Sequence, residues 1–236
     1  GFTVLPILMI LYYAFTNSDG GFTWANIAAI ADPVHIKALL LSLKLGILCT
    51  VVCLLLSYPL AMILNSLHIK HQSFVVFIFV LPMWMNFMLR ILARRLLLSN
   101  NGIVNALFGL FGFGPVKMLN TPTAVVFGMV YDFLPFMILP IYTVLLKLDG
   151  ALPEAAADLG AKRHQVFFKV ILPLSMPGII SGVTMVFLPA MTNYVVLDMV
   201  YNSTYIMGSL IGSYFNTYDW NNGSMISMVL LFIIFG

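Results

Sequence analysis

Residues 38–64 read Ala-Leu-Leu-Leu-Ser-Leu-Lys-Leu-Gly-Ile-Leu-Cys-Thr-Val-Val-Cys-Leu-Leu-Leu-Ser-Tyr-Pro-Leu-Ala-Met-Ile-Leu, with Lys44 the only charge. A helix crossing the ~30 Å hydrocarbon layer needs about 20 mostly apolar residues, and this run exceeds that. Three further stretches, 73–93, 123–146 and 174–197, meet the same criterion, and 2–15 and 223–235 fall short only where they meet the chain ends. An outer-membrane barrel would alternate apolar and polar residues over segments of about ten. The run Phe74-Val75-Val76-Phe77-Ile78-Phe79-Val80 does not alternate. The expectation is therefore an all-α, polytopic chain of six transmembrane helices forming one domain over 1–236. Both ends read as truncated, since the chain opens at Gly1 without a methionine and stops at Gly236 inside an apolar stretch.

Composition around these spans points the same way. Of 236 residues, 61% are hydrophobic and 8% charged, and the mean hydropathy is +1.03, against about half apolar and about a quarter charged for soluble domains. So little polar surface excludes a soluble enzyme, a disordered chain and a nucleic-acid-binding domain. A net charge of +3, from 11 basic and 8 acidic residues, is too small to attract a polyanion. Cys49 and Cys53, four apart in an apolar run, read as one helix face rather than a disulfide or a metal site. Pro59, Pro82, Pro135, Pro140, Pro177 and Pro189 lie within the spans, which a membrane bundle tolerates because neighbouring groups satisfy the freed carbonyls.

The connections carry the polar residues. Residues 16–37 hold Asp19, Asp32 and Lys37, and 65–72 form a short link whose His68 and His71 read as solvated rather than as ligands. Residues 98–122 include Gly112–Pro115 and an apolar piece, Ile103–Phe111, that is too short to span and is expected to be an interfacial or re-entrant helix. Residues 198–222 contain Asp198 and Asp219 and no Lys or Arg. Lys70, Lys147, Lys162, Arg163 and Lys169 on one side nearly balance Lys37, Arg94, Arg95 and Lys117 on the other, so the positive-inside rule leaves the orientation open.

The connection 147–173 is patterned: Lys-Leu-Asp-Gly-Ala-Leu-Pro-Glu-Ala-Ala-Ala-Asp-Leu-Gly-Ala-Lys-Arg-His-Gln-Val-Phe-Phe-Lys-Val-Ile-Leu-Pro. Pro153 suits the first turn of a helix, and Glu154 and Asp158 lie toward its start. Ala155, Ala156 and Ala157 give a small-faced helix that another surface can approach. Gly160 supplies a left-handed turn at the helix end. A second amphipathic stretch follows, with Val166, Phe167, Val170 and Ile171 apolar and Lys162, Arg163 and Lys169 polar, and Pro173 is expected to stop it. On composition alone this segment reads equally as a helix lying on anionic membrane lipid.

Glu154-Ala155-Ala156, Gly160 four residues after the last Ala, and Val170-Ile171-Leu172-Pro173 at the end resemble the EAA signature of bacterial ABC importer permeases. The resemblance implies the six-helix type I importer permease fold in a bacterial cell membrane. It also implies that 147–173 is cytoplasmic and docks on an ATP-hydrolysing subunit through Glu154, Ala155, Ala156, Asp158, Gly160 and Pro173. The chain has no Gly-Lys dipeptide and hence no P-loop of its own. It is expected to be a transport subunit without catalytic residues, metal or cofactor, with ATP and Mg bound by the ATPase subunits.

Leu81-Pro82-Met83-Trp84-Met85-Asn86-Phe87-Met88-Leu89-Arg90, Val130-Tyr131-Asp132-Phe133-Leu134-Pro135-Phe136-Met137 and Leu188-Pro189-Ala190-Met191 are similar to spans of the B-type permease of spermidine/putrescine importers. Ala93 and Tyr201–Thr204 depart from that pattern. The similarity implies polyamine import by alternating access. The implied partners are a second related permease, two ATPase subunits and an extracytoplasmic polyamine-binding protein, with no nucleic acid. Asp132, the tenth residue of its span, sits about 14 Å along it, near the midplane, where ionisable groups are costly and usually functional. Tyr131, Phe133 and Trp84 are candidates to hold alkylammonium groups by cation–π contact. Alternatively Asp132 is the structural partner of Lys44 or Arg90. A permease for another small solute, with Lys44, Arg90, Arg94 and Arg95 as anion contacts, and an ion-coupled secondary carrier are the competing functions.

Overall fold

The computed structural model describes residues 4–17, 21–24, 26, 32–66, 77–79, 81–100, 102–110, 121–193 and 206–235. Among them the regular elements are helices: α1 (Val4–Ala14), α2 (Pro33–Ser66), α3 (Phe87–Leu97), α4 (Ile103–Leu110), α5 (Pro122–Leu146), α6 (Ala151–Asp158), α7 (Arg163–Thr192), α8 (Met207–Asn216) and α9 (Trp220–Phe235). Three of them, α2, α5 and α7, are long and apolar enough to cross a membrane, and α1 and α9 are shorter apolar helices. The expected link residues His68, Lys70 and His71, the Gly112–Pro115 turn, Lys117, Asp19, Asp198 and Tyr201–Thr204 lie outside the described residues.

Three expectations need correcting. The span expected over 73–93 is interrupted: Leu81–Trp84 forms a single 3-10 turn and α3 starts afresh at Phe87. Asn86 explains the restart, because its Oδ1 accepts the Met88 N–H at 2.9 Å and so caps the new helix. The polar connection 198–222 is not all loop, since it contains α8 and the first turn of α9. Pro173 does not stop the second amphipathic stretch. Arg163–Val166, a wide π-type segment Phe167–Ile171 and Leu172–Thr192 run on as one helix, α7. In the wide turn the Leu172 N–H reaches back five residues to the Phe167 carbonyl. The helical ladder is already out of α register there, so a residue without an N–H is accommodated.

The chain divides into two contact units, Gly1–Gly46 with Leu98–Val125 and Leu188–Gly236, and Ile47–Leu97 with Val126–Phe187. In the first unit α1 and α8 both pack on α9, and Ala14, Met225 and Met228 with Ile10 and Phe15 against them form the α1–α9 core. Ser42 of α2 accepts the Met207 N–H at 2.9 Å and so satisfies one orphan donor at the start of α8. Next to it Gly208 lies directly against the Thr192 carbonyl, where no side chain fits. His35 Nε2 and the Tyr214 hydroxyl, 2.9 Å apart, tie the head of α2 to α8.

In the second unit α7 meets α5 through Gly178 and Gly182, a small-xxx-small pair that lets helices approach closely. A Cβ on Gly178 would stand 2.9 Å from the Pro140 carbonyl oxygen and 3.1 Å from the Ile141 Cα. One on Gly182 would first meet the Met137 sulfur at 2.7 Å. Cys49 and Cys53 are both buried free thiols on one face of α2, as expected, and the Cys53 thiol donates weakly to the Val130 carbonyl at 3.9 Å. The two glycines respond differently to substitution. Gly178→Ala presses on backbone and is expected to cost about 1–3 kcal/mol, while the flexible end of Met137 yields to Gly182→Ala. Thermal melting of the two purified variants checks this, and an equal or larger loss for Gly182→Ala contradicts it.

Candidate coupling segment and buried ion pair

Helix α6 begins where the Asp149 carboxylate accepts the Ala151 N–H at 3.0 Å. Pro153 and Glu154 lie in its first turn, where a missing N–H is harmless and a negative charge favours the helix dipole. Its end is a Schellman turn: Gly160 N–H donates to Ala157 O at 2.9 Å and Ala161 N–H to Ala156 O at 3.1 Å. Gly160 has φ +85°, the left-handed conformation expected of it. Nothing lies within 4 Å of where its Cβ would be, so the constraint there is conformational and not steric. The chain then turns into α7, whose start is held by Gln165 Oε1 accepting the Lys162 N–H at 2.8 Å.

No residue of α6 is buried. Glu154, Ala155, Asp158, Gly160 and Pro173 are exposed and Ala156 is half-buried. Leu159, between Asp158 and Gly160, is 89% exposed, and Leu152 and Phe168 are exposed as well. The sequence pattern drew attention to the small and charged residues and passed over these three. They leave apolar side chains exposed on and beside α6. Beside the start of α6 lies a cavity of about 200 Å³ bounded by Met62, Asn65 and Ser66 at the end of α2, Leu145 in the last turn of α5, Leu148 just after it, and Ile171.

Tyr58 of α2 was not singled out from sequence, yet it fixes the wide turn of α7. Its hydroxyl lies 2.8 Å from Ser175 Oγ, and both side chains are buried. Ser175 gives its own proton to the Leu172 carbonyl at 2.9 Å, so Tyr58 donates to Ser175. The Tyr58 ring meets Phe167 edge-on at 5.5 Å. A buried hydrogen bond contributes about 1 kcal/mol net and an edge-on ring pair about 0.5–1.5 kcal/mol.

Asp132 projects from α5 into the second unit, where Arg90 Nη1 of α3 stands 3.8 Å from Asp132 Oδ1 with side chains 13% and 4% exposed. Lys44 is exposed. The pair is wider than a direct charged hydrogen bond of about 2.8 Å and binds chiefly by Coulomb attraction in a poorly solvated place. The three aromatic candidates do not gather round this carboxylate. Phe133 is buried beside Phe136 at 6.4 Å, Tyr131 faces outward, and Trp84 is 78% exposed and edge-on to Phe77 at 6.1 Å. Sequence neighbours on a helix point about 100° apart, which is why Tyr131, Asp132 and Phe133 cannot share one face. Among the described residues no group of three or more His, Cys, Asp or Glu is placed to hold a metal ion.

Residues 54–236 match the family of binding-protein-dependent transport system inner membrane components. The chain is 38% identical to the spermidine/putrescine transport system permease protein PotB of Haemophilus influenzae, over 97% of this chain and 84% of that protein. It is 37% identical to PotB of Escherichia coli, over 99% of this chain and 88% of that one. A chain of a bacterial alginate ABC transporter, solved with a periplasmic protein carrying an alginate pentasaccharide, superposes with a TM-score of 0.79 at 17% identity. That match covers 99% of this chain and 86% of the other and shows a shared fold. The chain belongs to the family of binding-protein-dependent transport system inner membrane components, which sets aside the ion-coupled secondary carrier.

The ion pair can be tested apart from transport. Removing one partner of a buried pair strands the other charge, at about 3–5 kcal/mol. Asp132→Asn and Arg90→Gln should each lower the melting temperature of the purified protein, and the double variant should recover much of the loss. Additive losses in the double variant would show that the two charges do not depend on each other.

Proposed function

We propose that this family member is the permease subunit of an ATP-driven importer that carries polyamines of the spermidine/putrescine class into the cytoplasm. The observation that carries the reading is the 37–38% identity, over nearly the whole chain, to permeases named for spermidine and putrescine transport. The chain works in a bacterial cell membrane beside a second related permease. Two ATPase subunits supply ATP hydrolysis with their own Mg, and an extracytoplasmic binding protein delivers the polyamine. Segment 147–173 is cytoplasmic, and 198–222, one span further along the chain, lies outside.

The parts described above suit alternating access. The ATPase grips α6 at Glu154, Ala155, Ala156, Asp158 and the Leu159 knob. Because the Schellman turn at Gly160 is rigid, displacement of α6 passes into α7, with Pro173 inside the moving helix. Tyr58 and Ser175 carry the motion to α2. Asp132 is held by Arg90 while the route is closed. Once α3 and α5 shift, it offers its charge to a passing alkylammonium, with Tyr131, Phe133 and Trp84 supplying ring faces along the way. A carboxylate that is paired at rest avoids the cost of a bare charge at membrane depth.

Uptake of labelled spermidine, putrescine and an anionic control by vesicles of the assembled importer tests the function. ATP-dependent accumulation of both polyamines and not of the anion is expected, and preference for the anion would overturn the reading. The lever is tested at its turn. Gly160→Val should resist the left-handed conformation by about 1–2 kcal/mol and abolish ATP-driven uptake, while Gly160→Asn, which tolerates that conformation, should retain most of it. Equal uptake by the two variants would sink the lever.

A further inference from the structure

The largest cavity among those described, about 690 Å³, lies in the first contact unit between the end of α1, the turn after α8 and the start of α9. That is within the size range of small-molecule sites. Tyr12, Tyr13, Tyr218, Trp220, Asp219 and Asn222 are among its walls, and no lysine or arginine is among the residues that line it. The aromatic side is continuous, with Tyr12 and Tyr13 edge-on at 5.5 Å and Tyr13 and Trp220 at 6.3 Å. Asp219 is held in place by Asn222, whose backbone N–H reaches Oδ1 at 3.2 Å and whose side-chain amide reaches Oδ2 at 2.8 Å. A carboxylate has about four acceptor sites, so two remain for a ligand. Burial first, and then the carboxylates of Asp219 and Asp32, push the Tyr214 phenol above its usual range.

Tyr218 adds an independent observation. It sits at the left-handed position that closes α8, with φ +62° and a Schellman pair of bonds, Tyr218 N–H to Phe215 O at 3.2 Å and Asp219 N–H to Tyr214 O at 2.9 Å. Glycine or asparagine is the residue such a turn selects. Here a bulky ring takes the strain and is 79% exposed at the cavity. An ordinary interfacial aromatic belt accounts for tyrosines and tryptophans at a membrane surface, but not for a ring kept on unfavourable backbone beside a fixed carboxylate.

We propose that this cavity is an outer entry site for linear alkylammonium ligands, with Asp219 as the charge contact and Tyr12, Tyr13, Tyr218 and Trp220 as the ring faces. The site rests on the polyamine reading for its ligand class and on the outside placement of 198–222 for its role: it holds a polyamine released by the binding protein before it enters the membrane route. Cation–π contact and a single carboxylate give retention without the tight grip that would block onward transfer.

The test uses the assembled importer in lipid nanodiscs without the binding protein, titrated with labelled spermidine. Asp219→Asn keeps the backbone cap on α9, because asparagine caps as well as aspartate, and removes the charge together with the acceptor of the Asn222 side-chain amide. It should weaken one spermidine-binding step at least tenfold. Tyr218→Gly should raise the melting temperature by relieving the strained turn and yet weaken the same step. A structural role for the ring would not predict that combination. Unchanged spermidine affinity in both variants, with ATP-driven spermidine uptake intact, overturns the entry site and leaves the proposed function standing. Absence of spermidine uptake by the unmodified importer overturns both.

Discussion

The backbone-to-backbone approach of α7 to α5 at Gly178 is the constraint on which the second unit depends. With the Pro140 carbonyl only 2.9 Å from where a Cβ would be, the two helices are locked in one register. The register in turn decides where each helix end lies. Leu145, Leu148 and Ile171 line one cavity, and no residue of α6 is buried. Lipid tails are as apolar as leucine, so hydrophobic burial cannot hold such helices together. Close van der Waals contact through small residues takes that role. More of the apolar residues of α5 than of α7 are buried, so α5 is the packed partner and α7 the one with a face to spare.

Much of the fold was legible because membrane constraints are strict. Long apolar runs must be helices, and 38–64 and 123–146 are. Gly160 was legible because only one conformation explains a glycine after Ala-Asp-Leu at a helix end. Where polar residues cap instead of span, the pattern misleads. Asn86 ends an apolar run that hydropathy reads as continuous. Met207–Asn216, rich in Gly, Ser, Tyr and Asn, reads as loop, although Ser42, far away in sequence, caps it.

The candidate sites divide along the same line. The turn at Gly160 and the start of α6 depend on local spacing, so they could be read in advance. Leu159 was missed because exposure is not written in the sequence, and Tyr58 because its partner Ser175 is distant along the chain. By propensity Pro173 is a stop signal, but the π-type turn Phe167–Ile171 before it has already taken the helical ladder out of α register. For Asp132 the sequence left two cations open and the structure puts Arg90 beside it, while Trp84, Tyr131 and Phe133 face different ways.

Cys49 and Cys53 are the only two cysteines in the chain, both buried on one face of α2. Both side chains are fully buried, so neither sulfur meets solvent. The resting protein is therefore silent toward water-soluble maleimides, and a single engineered surface cysteine would be the one site to take a fluorophore. The native pair also serves as a built-in reporter. Any state that parts α2 from the Val130 carbonyl admits water to Cys53, and the labelling rate then measures how often that seam opens.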